Sequence, residues 1–132
     1  MMKHAIYSIF MLCVAQQTFA AEPLTGAQFD AYATGKTLTF AENGKPYGSE
    51  QYLPNKRVRW AAGSQTCLEG RWYEEADQIC FAYQDNSAPQ CWTFYLEDDK
   101  LIAEFDAGES TVVYEAWDSL GSLSCMAPGL GV

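Results

Sequence analysis

The chain has 132 residues, with 17 Asp and Glu against 8 Lys and Arg and one histidine, and 48% of it is hydrophobic. A net charge of −9 disfavours nucleic acid and anionic lipid surfaces and favours cationic partners. The length suits one ordinary domain.

The chain opens with Met1, Met2, Lys3 and His4, then an apolar run from Ala5 to Ala15, then Gln16-Gln17-Thr18-Phe19-Ala20 before acidic Glu22. A basic start, a short apolar run and small residues at Thr18 and Ala20 predict a secretory leader cut after Ala20. The run is too short to span a bilayer, and nothing later is long enough, so no membrane span is expected. Cys13 lies inside the apolar run behind bulky Phe10, Met11 and Leu12, which argues against a lipid-anchored cysteine. Removing residues 1–20 leaves a single domain, 21–132, whose only histidine, His4, has departed. Catalysis through a histidine base, histidine metal ligation and histidine proton relays are then absent from the mature chain. No cofactor is expected, and the predicted location is the periplasm or outside the cell.

A helix of about ten residues is predicted to start at Thr25. Thr25 and Gln28 make a capping box, Leu24 and Phe29 a hydrophobic staple, and Gly35 a C-terminal cap. From Thr37 the pattern changes to short β-rich runs near 37–40, 47–52, 56–61, 67–74, 78–84, 90–96, 100–105 and 111–116. Turn residues such as Glu42-Asn43-Gly44, Leu53-Pro54-Asn55 and Asp98-Asp99 separate them. Regular short strands with tight connections predict an all-β fold, an antiparallel meander closing into a small eight-stranded barrel, lipocalin-like in outline. A split sandwich is the alternative. A Gly-rich tail, 118–132, follows.

Period-2 alternation assigns Val58, Trp60, Leu68, Trp72 and Ile79, with Phe81, Trp92, Phe94 and Leu96, to the inner face. Four tryptophans in a shallow barrel are expected to fill it; the contrary expectation is a cup for a small apolar ligand. Cys67, Cys80, Cys91 and Cys125 fit no common zinc spacing, and an even number in an exported chain reads as two disulfides. A hairpin centred on Asp85-Asn86 sets Cys80 opposite Cys91, which leaves Cys67 for Cys125 and ties the tail to the barrel.

Gly70-Arg71-Trp72, Ile79-Cys80 and Cys91-Trp92, with Gly48 to Tyr52 and Val58-Arg59-Trp60 before them, carry a resemblance. In this G-x-W, I-C, C-W order the chain resembles a family of small exported bacterial proteins classed as a domain of unknown function. The likeness covers about Leu24 to Phe105. It implies an exported β-rich domain of a Gram-negative envelope and supplies no catalytic residues.

Three groups of side chains offer chemistry. In an up-and-down barrel alternate turns share one rim, which gathers Glu74, Glu75, Asp77, Glu97, Asp98 and Asp99, a surface able to meet a cationic protein. Wet turns favour acids in any case. Arg57, Arg59 and Arg71 share the outer face: with Trp60 paired to Leu68, Arg59 meets Glu69 while Arg57 opposes Arg71, which calls for an anion or an acid such as Glu50 or Glu74 between them. Glu50, Glu69 and Glu104 are the strand carboxylates from which a hydrolase would have to draw a pair. The sequence thus predicts a non-enzymatic envelope protein that acts by binding, with a protein partner ahead of a small apolar ligand and a carboxylate-based hydrolase last.

Overall fold

The computed structural model describes residues 21–62, 66–107, 109–119, 123 and 125. The expected leader and most of the expected Gly-rich tail lie outside them. One helix, α1 (Gly26–Ala33), precedes eight strands: β1 (Thr37–Glu42), β2 (Lys45–Leu53), β3 (Arg57–Ala61), β4 (Leu68–Glu75), β5 (Gln78–Tyr83), β6 (Gln90–Glu97), β7 (Lys100–Ala107) and β8 (Glu109–Ser119). Each strand pairs antiparallel with the next and β8 pairs with β1, which closes the barrel. No helix among the described residues is long and apolar enough to cross a membrane.

The turns explain the hairpins. Asn43 (φ 50°) with Gly44 (φ 77°), and Asp98 (φ 51°) with Asp99 (φ 61°), occupy the left-handed region that a two-residue turn between right-twisted strands requires. Asn, Asp and Gly tolerate it best. Ala76 at φ 52° does so with no such help.

The helix is eight residues long and ends at Thr34, shorter than predicted because Gly35 (φ 92°) turns the chain toward β1 at once. Its capping box is formed: Gln28 N donates to Thr25 Oγ1 at 3.2 Å and Thr25 N donates to Gln28 Oε1 at 2.9 Å. The Leu24–Phe29 staple is buried. Backbone bonds fasten this segment to the barrel, from Leu24 N to Phe94 O at 2.8 Å and from Gly35 N to Tyr52 O at 2.8 Å.

Phe29 is fully buried and closes one end. Its ring lies 5.1 Å from Trp72, 5.5 Å from Tyr52 and 4.7 Å from Phe94, centroid to centroid, spacings at which edge-on and tilted aromatic pairs attract. The turns after β2, β4 and β6 share this plugged end; the connections after β1, β3, β5 and β7 share the other. The inner face carries the predicted core, with one correction: Leu96 is 38% exposed. It is the last inward position before the Asp98-Asp99 turn and falls beyond the helix cover.

Both disulfides join the predicted cysteines. Cys80 and Cys91 are cross-strand partners on β5 and β6 with Cα atoms 3.9 Å apart, and Cys67 bonds to Cys125 with Cα atoms 5.4 Å apart. Such bonds accord with an oxidising, exported location.

Candidate functional site

At the open end the barrel is hollow. A cavity of about 330 Å³ reaches from the mouth, at Asp85, Ser87 and Gln90, down to Tyr52 and Phe94, which rest on Phe29. The expectation of a barrel filled throughout thus holds only for its plugged half.

Two glycines explain the hollow. A Cβ on Gly48 would overlap the indole of Trp60, and a Cβ on Gly70 would come within 2.7 Å of the Tyr83 ring. Without side chains at these positions Trp60 and Tyr83 lie against neighbouring strands and line the wall instead of filling the centre. Tyr47 completes the wall, 5.7 Å from Trp60 and 6.1 Å from Trp92. Tyr83 stacks on Phe81 at 6.4 Å with 11° between the ring planes.

One ionisable group is buried in this wall. Glu50 is 2% exposed because strand parity turns it inward from β2, between Tyr52 and Gly48. Its Oε1 accepts a bond from Tyr83 Oη at 3.0 Å; its Oε2 has no partner among the described residues. Burial holds the Glu50 carboxyl well above the ordinary range, and the Tyr83 hydrogen bond offsets only part of that. Burial raises the Tyr83 hydroxyl too, assisted by Glu50. At the mouth the reverse applies: Ser87 donates to Asp85 Oδ1 from its hydroxyl at 2.6 Å and from its N–H at 3.0 Å. These bonds lower the pKa of Asp85 and keep it charged.

The predicted candidates fall elsewhere. Glu74, Glu75, Asp77, Glu97, Asp98 and Asp99 are all exposed and lie at the plugged end. Two serve the plug: the Glu74 carboxylate accepts the Gly26 N–H, and the Asp99 carbonyl accepts the Tyr32 hydroxyl at 2.9 Å. Arg59 pairs with Glu69 at 2.5 Å in the predicted register, and Arg57 opposes Arg71. No ion pair engages Arg57 or Arg71 among the described residues. Glu50 and Glu74 do not bridge them, since one faces the cavity and the other the helix. Glu50, Glu69 and Glu104 do not converge, for Glu69 is on the outer face and Glu104 is exposed. Glu75 lies near the sulfurs of Cys80 and Cys91, but these are joined in the disulfide and offer no thiolate to a metal.

Sequence reasoning placed Glu50 in a strand and passed over Tyr83, Gly48 and Gly70 as parts of a site. The available signal was parity: a carboxylate flanked at two-residue spacing by Gly48 and Tyr52 faces inward with them. No family model, curated protein or solved structure matches the chain. Function is therefore argued from the cavity.

Proposed function

We propose that this protein is a non-enzymatic binding module of the periplasm or the extracellular space, and that it takes a small, largely apolar ligand into the open end of its barrel. The observation that carries this reading is the cavity: about 330 Å³, aromatic on its walls, open at one end and closed at the other by α1. Its volume falls in the range of small-molecule sites. It is about twice the ~150 Å³ that holds a benzene ring, so a fused two-ring body with a short tail suits it. An apolar wall with a few convergent polar groups, here Glu50 and Tyr83, is the usual make-up of such sites.

Calorimetric titration with naphthyl compounds tests this. Ala103 is buried on the cavity wall, and Ala103→Phe sets a ring where the ligand would lie. Saturable binding to the native chain and its loss in Ala103→Phe, with a cooperative thermal transition retained, is the expected result. Equal binding to both proteins would place the ligand elsewhere and end the reading.

A second reading, a cationic protein partner at the plugged end, is supported by the exposed acids gathered there. Replacing Glu75, Asp77, Asp98 and Asp99 by their amides is then expected to slow association far more than it hastens dissociation, because exposed rim charges chiefly steer encounter. An association rate indifferent to both the amides and salt would remove it.

A further inference from the structure

Among the described residues Glu50 Oε2 has no hydrogen-bond partner, and its side chain, nine-tenths or more out of water, is part of the cavity wall. Its cross-strand neighbours are Leu38 on β1 and Trp60 on β3, so neither adjacent strand sets a positive charge opposite it. Among the described residues the titratable groups around it are Tyr83, Tyr52 and Tyr47, with Asp85 at the mouth and Glu115 acting on Tyr52 from the plugged end, and no lysine or arginine lines the cavity. Aromatic faces are negative, Asp85 is charged, and the chain as a whole carries −9. Every field that a ligand meets on its way in favours positive charge.

We propose that the cavity is specific for an organic cation, a protonated amine on an aryl or similarly flat apolar body, whose ammonium donates to Glu50 Oε2 while the body lies among Tyr47, Trp60 and Trp92. This rests on the reading of the open end as a ligand site and names the ligand's class. An anion is disfavoured by the charged Asp85 at the mouth, with no base among the described lining residues to offset it. A neutral carbonyl ligand would make no use of the charge at the mouth. The ammonium gains a charge-assisted hydrogen bond and cation–π contact, each strengthened by exclusion of water.

Charge balance gives the binding step a signature. In the empty cavity burial favours the protonated carboxyl, and an ammonium beside it favours the carboxylate. As the cation enters, the Glu50 O–H proton leaves to solvent, the carboxylate keeps the bonding electron pair, and the net charge of the cavity is unchanged. No uncompensated charge is buried in either state.

The test is calorimetry of the leader-free protein at about pH 5.5, above the ordinary glutamate range, in two buffers of different ionisation heat. Three probes of one shape are compared: 2-(1-naphthyl)ethylamine, 2-(1-naphthyl)ethanol and 1-naphthylacetate. The amine is expected to bind at least about tenfold more tightly than the alcohol, the acetate more weakly than either, and only the amine to release a proton. Glu50→Gln is expected to abolish the proton release and weaken the amine about tenfold or more, with the alcohol unchanged; Ala103→Phe is expected to exclude both. Amine and alcohol of equal affinity, with no proton release and both lost in Ala103→Phe, would overturn the cation and leave the ligand site standing. Failure of all three probes to bind the native chain would overturn both.

Discussion

Each end of the barrel contains a buried glutamate, and their partners separate architecture from function. At the plugged end Glu115, 6% exposed, accepts bonds from Tyr32 Oη at 2.6 Å and Leu101 N at 2.8 Å. At the open end Glu50 has Tyr83 on one oxygen and, among the described residues, nothing on the other. The first carboxylate takes both bonds on Oε2 from its own chain, one from α1 and one from β7. The second is where we propose that a ligand's donor binds. A buried acid is evidence of a site only when the fold withholds its partners.

The largest effect is expected from removing the plug. Phe29→Ala deletes the ring against which Trp72, Tyr52 and Phe94 pack and should cost about 3–5 kcal/mol in chemical denaturation. If it costs under about 1 kcal/mol, α1 is an ornament of the barrel and the contrast between the ends loses its basis. Glu115→Ala strands the buried Leu101 N–H and should cost about 1–3 kcal/mol, with naphthylamine binding at the open end unchanged.

Glu50→Gln should act in the opposite sense. A carboxyl raised in the folded state holds its proton between its unfolded pKa, about 4.3, and its higher folded value. Across that window the native state binds more protons than the unfolded one, so stability falls as pH rises, by up to about 1.4 kcal/mol per pH unit. The glutamine variant lacks that slope. Denaturant melts of both proteins from about pH 4.5 to about pH 7.5 should show native minus variant stability growing steadily more negative; a constant difference would mean that Glu50 is not held protonated by the fold. The smallest effect belongs to Ala76, whose φ of 52° costs an alanine more than a glycine. Ala76→Gly should raise stability by about 0.5–1 kcal/mol and leave ligand affinity untouched, as a change confined to the plugged end must.

Much of the architecture was legible in the sequence. Thr25, Gln28, Leu24 and Phe29 mark the helix start through local hydrogen bonding and packing. The turn residues divide eight strands, and a loop that pairs Trp60 with Leu68, the register observed, sets Arg59 against Glu69. The disulfide pairing followed because a hairpin brings Cys80 and Cys91 to one level. The hollow was not legible. It depends on Trp60 lying over Gly48 and Tyr83 over Gly70, contacts between neighbouring strands that alternation does not report, and on the helix filling one end and not the other. Trp60, which suggested a packed core by its volume, makes a wall once Gly48 lets it lie flat. Charge misled in another way: acids cluster visibly in the turns at the plugged end, while the carboxylate in the cavity is a single residue in a β-run.

The central claim is that Glu50 awaits a cation, and carbon-detected NMR of protein labelled at the glutamate side-chain carboxyl carbon tests it most directly. In the empty protein the Glu50 resonance should titrate well above the ordinary glutamate range, as burial requires. Saturating 2-(1-naphthyl)ethylamine should move that titration down toward ordinary glutamates, while 2-(1-naphthyl)ethanol leaves it where it was. A Glu50 midpoint that is the same with and without bound amine would contradict the account.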